Sequence, residues 1–207
     1  MQFLDEGGTL YRMSVRQRIR TVKPLRARYC ICVLESPNRH FNLAAAYRNV
    51  SAFGIEKMYI VGGYPTIPKS FDESRNDKLL MKESVGANRW VFIKHFATTA
   101  ECIRHLKKNS YVSIVTSPHC KGKENIELYR GDFTQKRLAV WFGSEGKGIS
   151  QEAIDHAESC IQIPMAGIVE SLNLGTSTGI VLSYIAHQRL GYVQKKKPWL
   201  LKKAVKK

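Results

Sequence analysis

No run of about 18 apolar residues occurs in the chain, so a membrane-spanning helix is not expected. The N-terminus lacks the apolar core of a secretory signal, because Asp5, Glu6 and two glycines interrupt it. The Arg-rich stretch that follows has the composition of an organelle transit peptide, but the early acids weigh against that, and a cytoplasmic location is the simpler expectation. Cysteine is sparse and odd in number, with five residues (Cys30, Cys32, Cys102, Cys120, Cys160) and no C-x-x-C pair. Reduced, mostly buried thiols are therefore expected rather than a disulfide framework or a zinc site. The six histidines are scattered with no H-E-x-x-H, and no metal is expected. What remains, 43% hydrophobic and 24% charged over 207 residues with 15 Gly and 7 Pro, is the composition of one globular domain with tails.

Acidic residues are scarce as well: 17 Asp and Glu face 33 Lys and Arg, for a formal charge of +16. Such an excess points to a polyanion, with nucleic acid first among the candidates. The ends carry it. From Arg12 to Arg28 there are seven basic residues and no acid, among them Arg16, Arg18 and Arg20. After Gln194 come seven lysines, among them Lys195, Lys196 and Lys197, while residues 29–194 carry only +4. Runs of this kind act either as solvated, solubilising tails or as arms that grip phosphates and release counterions. The expected organisation is a basic extension over 1–28, a catalytic-sized body over 29–190 and a Lys-rich tail over 191–207.

Within the body, β-rich apolar runs alternate with helix-like stretches. Strands are expected over 29–34, 57–61, 90–95, 111–116, 137–142 and 160–163. Helices are expected over 41–53, 72–85, 98–108, 151–157 and 171–189. Steady alternation argues for an α/β fold with a largely parallel sheet and helices on both faces. Ligands in such sheets sit where strands end and loops begin.

Three such places hold candidate chemistry. The first runs from Asn42 to Arg48 and Asn49 on a helix. A spacing of six puts Asn42 and Arg48 on neighbouring faces, and the alanines between allow close packing on the sheet. Arg48 alone reads equally as a surface cation. The second, Phe142-Gly143-Ser-Glu145-Gly-Lys-Gly148-Ile149, is a buried strand running into a glycine-rich turn that lets backbone approach a ligand. It matches neither G-x-G-x-x-G nor the P-loop pattern, which disfavours a dinucleotide or nucleoside-triphosphate site. The third, Ile161-Gln-Ile163-Pro-Met165 through Glu170-Ser171-Leu172-Asn173, is a short strand, a loop and then Ser171 with Asn173 opening a helix. The free N–H groups of that helix are suited to an anion, although Ser171 also reads as an ordinary N-cap.

In this order and at these separations, the three segments resemble the three motifs of the SpoU/TrmH family of the SPOUT superfamily, which are S-adenosylmethionine-dependent RNA ribose 2′-O-methyltransferases. The resemblance covers residues 29–190. It implies a deep C-terminal trefoil knot, a homodimer and a cofactor held in the knotted loops. Carried onto this chain, the cofactor contacts would be Gly143, Ile163, Met165 and Leu172, with Thr116 and the loop after it. The catalytic surface would be Asn42, Arg48, Glu145, Ser171 and Asn173, with Arg48 acting on RNA across the dimer interface. Asn49 departs from the Thr or Ser that many relatives place after the arginine.

The family's motif-one arginine is often described as the general base. Deprotonating an arginine at neutral pH costs about 7–9 kcal/mol, given its reference pKa of about 12.5–13.8. An electrostatic role is the better expectation: Arg48 holds a neighbouring phosphate and stabilises the developing alkoxide. Asn42 and Asn173 would then orient the ribose or Arg48, Ser171 would cap the helix, and Glu145 would fix Arg48 or the loop. The expected substrate is tRNA, because basic extensions on a short catalytic body suit a compact folded RNA. The alternatives are rRNA, or a non-catalytic RNA-binding protein on the same fold. A small-molecule nucleotide enzyme would not explain the tails.

Overall fold

The central strand β1 (Ala27–Glu35) sends Cys30, Cys32 and Leu34 to one side and Ile31 and Val33 to the other, and all five are fully buried. Such a strand must be covered twice. In the computed structural model, which describes residues 14–23, 26–119 and 122–196, it lies inside a seven-stranded, all-parallel sheet. The other strands are β2 (Ile55–Val61), β3 (Phe92–Phe96), β4 (Val112–Thr116), β5 (Asn125–Glu127), β6 (Leu138–Phe142) and β7 (Ser159–Gln162), in the spatial order β3-β2-β1-β6-β4-β7-β5.

Helices α2 (His40–Ala52), α4 (Lys78–Glu83) and α7 (Leu174–Lys196) cover one face, where Leu43, Tyr47, Leu80 and Leu182 pack on Leu34, Met58 and Val140. Helices α5 (Thr99–Lys108) and α6 (Gln151–His156) cover the other, with Leu106 and Ile154 against Ile31 and Trp141. Each large side chain buried this way contributes about 1.5–3 kcal/mol relative to exposure. Helix α1 (Val15–Val22) precedes the sheet and is closed by a capping box between Ser14 and Gln17. The expected α/β architecture and six of the strands are present.

Four local expectations change. The helix expected over 72–85 is two helices, α3 (Phe71–Asn76) and α4, because Asp77 ends one and caps the next, accepting from the Leu80 N–H at 2.8 Å. The short edge strand β5 was not foreseen, and three residues are too few for a periodic signal. The last helix begins at Leu174 rather than Ser171 and runs on to Lys196. The thiol expectation holds for Cys30, Cys32 and Cys102, which are free and buried, with burial pushing Cys30 up to about 11 and Cys102 up to about 12. It does not hold for Cys160, which is disulfide-bonded. Cys120 lies outside the described residues. Among the described residues no helix is long and apolar enough to cross a membrane.

Candidate functional site

Strands β4, β6 and β7 end level with one another, since Thr116 pairs with both Phe142 and Ile161. The loops that leave them therefore meet at one edge of the sheet. They enclose a cavity of about 440 Å³, within the usual range for small-ligand sites. Its floor is apolar, from Phe142, Ile154, Ile161 and Leu174.

The loop after β6 folds back on itself. Ser144 and Gly148 exchange two backbone hydrogen bonds of 3.0 Å each. This closure demands glycine at Gly143, where a Cβ would lie 2.1 Å from the Gly148 carbonyl carbon, and at Gly148, whose φ is +68°. All five cofactor contacts expected from the resemblance, Thr116, Gly143, Ile163, Met165 and Leu172, line this one cavity, as do Glu145 and Ser171.

The catalytic candidates divide. Asn42, 1% exposed on α2, donates from Nδ2 to Oε1 of Glu145 and accepts at Oδ1 from Nδ2 of Asn173 at 2.9 Å. Asn173 in turn caps α7, its Oδ1 accepting from the N–H groups of Gly175 (2.8 Å) and Thr176 (3.3 Å). One hydrogen-bonded chain thus joins the helix after β1, the glycine loop after β6 and the start of the last helix. One expectation is corrected here. Ser171 does not cap the helix; it is exposed at the cavity, while Asn173 does the capping and occupies N–H groups expected to hold an anion. Of the two tasks expected of Glu145, fixing Arg48 or the loop, the bond to Asn42 matches the second, tying the loop to α2. Arg48 is exposed, lies off the cavity wall, and has no hydrogen-bond or ion-pair partner among the described residues.

Asn49 has a task of its own. Its Nδ2 donates to the Gly175 carbonyl (2.8 Å) and to Thr178 Oγ1 (2.9 Å), tying α2 to the first turn of α7. The two helices meet so closely that a Cβ on Gly175 would come within 2.7 Å of that of Ala45. Of the residues expected to bind RNA, Arg18 and Arg20 are exposed on α1 and Lys195 is exposed near the end of α7. Arg16 and Lys196 belong to the same two helices, and Lys197 lies outside the described residues.

Sequence reasoning passed over Glu35. This carboxylate, 5% exposed at the end of β1, accepts from the backbone N–H and the hydroxyl of Ser150 (2.7 Å each) and from the Thr99 hydroxyl. A lone acid closing the apolar run Cys30-Ile-Cys-Val-Leu34 was the available signal. The same reasoning named Glu170 within the third segment without giving it a role and missed Ser177; both line the cavity.

The cavity suits S-adenosylmethionine. The apolar floor accepts a purine, and the glycine loop leaves room for close backbone contact. Oε2 of Glu145 is buried without a partner among the described residues, a negative oxygen beside a space fit for a cationic ligand.

Residues 29–183 match the family model described as the SpoU rRNA Methylase family. A tRNA (guanosine(18)-2′-O)-methyltransferase of Thermus thermophilus is 32% identical over 84% of this chain and 83% of its own length. Among solved structures, the A. aeolicus TrmH/SpoU tRNA modifying enzyme superposes with a TM-score of 0.68 at 24% identity, covering 93% of this chain and 98% of that one. An AdoMet-bound rRNA methyltransferase from Sinorhizobium meliloti superposes at 0.66 and 22%, covering 82% and 59%. The fold is accordingly the knotted α/β fold of the SPOUT methyltransferases. The family model matched over residues 29–183, with a relative 32% identical over 84% of the chain, makes this chain a member of the SpoU rRNA methylase family.

Proposed function

We propose that the protein is an S-adenosylmethionine-dependent ribose 2′-O-methyltransferase that acts on tRNA in the cytoplasm as a homodimer. The observation that carries the reading is the hydrogen-bonded chain that runs from Glu145 on the cavity wall through Asn42 to Asn173, with Arg48 on the same helix as Asn42 and without a side-chain partner among the described residues. The preference for tRNA is supported by a relative of similar extent that is named for a tRNA guanosine, of which this chain covers 83%.

When bound, S-adenosylmethionine supplies a methyl group on a sulfonium, which leaves as a neutral thioether. The chain's own task is to present a ribose 2′-oxygen in line with that methyl group as the hydroxyl proton passes to solvent water. Asn173 offers an exposed polar edge for this, held rigid by the helix end and by the buried Asn42, which is itself fixed by Glu145. Arg48, without a side-chain partner among the described residues, is available to a phosphate and to the charge that develops on the 2′-oxygen. In this reading it serves the cavity of a second copy. Its place off its own cavity wall supports that, as does the loop beside the cavity, where Ile168 and Val169 are 103% and 63% exposed.

The direct test is transfer of label from S-adenosylmethionine to total tRNA and, separately, to rRNA, with nuclease digestion to identify the nucleoside. A 2′-O-methylated nucleoside from tRNA is expected, while a product from rRNA alone would move the substrate to the ribosome. Mixing inactive Arg48→Ala and Asn173→Ala chains should restore activity through hybrid dimers, and failure to do so would refute action between copies.

A further inference from the structure

We infer that Glu35 is a positioning residue for the cofactor, setting the shape of the glycine loop from behind the cavity. The inference rests on the reading of that cavity as the S-adenosylmethionine site. Along β1, Ile31 and Val33 face the α5 and α6 layer, and Glu35, two residues on, follows the same alternation and stays buried. Leu34 pairs with Phe142, the last residue of β6. Glu35 therefore sits level with Gly143, where the glycine loop begins.

Its side chain grips the residue where that loop ends. Ser150, which follows the cavity-lining Ile149, gives the carboxylate both its N–H and its hydroxyl. The loop thus leaves the sheet beside Glu35 and is tied back to the same residue. Between those points Ser144 and Gly148 bond to one another, but nothing in that bridge sets where the closed loop stands over the cavity. Asn42 holds its middle at Glu145, and the Glu35 carboxylate holds its end at Ser150. Among the described residues no cation pairs with that carboxylate; its charge is met by the amino-terminal ends of two helices, since Ser150 caps α6 and Thr99 is the first residue of α5.

The two arms separate the positioning role from general stability. Ser150 leads to the loop, whereas Thr99 leads only to α5. Calorimetric titration of S-adenosylmethionine into the full chain reads the difference, with tRNA affinity and thermal unfolding followed in parallel. Glu35→Gln and Ser150→Ala should each raise the cofactor Kd about tenfold or more, leaving tRNA affinity within about twofold and the rate at saturating cofactor within about threefold. The double variant should lose little beyond either single one, because both cut the same contact. Thr99→Val should lower the melting temperature yet keep the cofactor Kd within about twofold.

An unchanged Kd in Ser150→Ala, or an equal rise in Thr99→Val, would overturn the inference, and these two variants suffice if Glu35→Gln does not fold. Wild-type chain that binds no S-adenosylmethionine would sink the reading of the cavity and this inference together. Wild-type binding with insensitive variants would sink this inference alone.

Discussion

Replacing Gly143 by alanine would put a methyl group 2.1–2.3 Å from the Gly148 carbonyl and the Ile149 nitrogen. These are backbone atoms, so no rotamer change relieves the clash and the loop must open. Opening it forfeits the two Ser144–Gly148 hydrogen bonds, each worth about 0.5–1.5 kcal/mol net, or leaves overpacking of about 1–3 kcal/mol in place. Either way the cost is about 1–3 kcal/mol. If the closed loop is the one the cofactor binds, binding must restore it, and the lower bound alone weakens affinity about fivefold. Calorimetric titration of S-adenosylmethionine measures this. Gly146→Ala, in the same loop, is the control: a Cβ there meets nothing within 4 Å, and affinity within about threefold of wild type is expected. Gly143→Ala binding as tightly as Gly146→Ala would refute the claim that the closed loop forms the cofactor wall.

Three further outcomes follow from particular side chains. Arg48→Ala should leave the melting temperature almost unchanged, a surface effect within about 0.5 kcal/mol, while single-turnover methylation falls by about 10²-fold or more; Arg48→Lys should retain part of the activity, and equal loss in both would count against an electrostatic role. Asn49→Ala severs the ties to Gly175 and Thr178 and should cost about 1–3 kcal/mol by chemical denaturation, whereas Asn49→Thr should recover part of it. His40 lies between Asp77 (3.2 Å) and Glu83 (3.1 Å); burial opposes its charge, but the two carboxylates outweigh burial and raise its pKa above 6.5. Its contribution, about 0.5–1 kcal/mol after solvent screening, is fully present below pH 6.5 and is lost as pH rises through the folded-state value. Melting curves of wild type and His40→Gln should therefore converge in alkaline buffer, and a gap independent of pH would refute the pairing.

Periodicity made most of the fold legible. β1 and β6 are unbroken apolar runs because each is covered on both faces, and α5 carries its buried residues Cys102, Ile103 and Leu106 at helical spacing. Glycine spacing likewise marked the loop after β6, since a chain that doubles back within six residues has few other residues to use. The break at Asp77 and the three-residue β5 were not legible, because one capping bond and one short edge pairing decide them. The residues named from motif order line one cavity, yet the hydrogen bonds among them were not legible. Glu145 bonds to Asn42 across 103 positions and Asn173 to Asn42 across 131, and no local pattern records which partner a side chain will find. What the sequence determined by itself is the alternation of strand and helix, the basic ends and the set of chemically competent residues, all of which are properties of neighbours along the chain. Only the tertiary structure decided that Asn42 links the three loops, that Asn173 rather than Ser171 caps the last helix, that Arg48 has no side-chain partner among the described residues and that Glu35 bonds to the end of the glycine loop, because each depends on strands ending level in a sheet whose order is not their order in the chain.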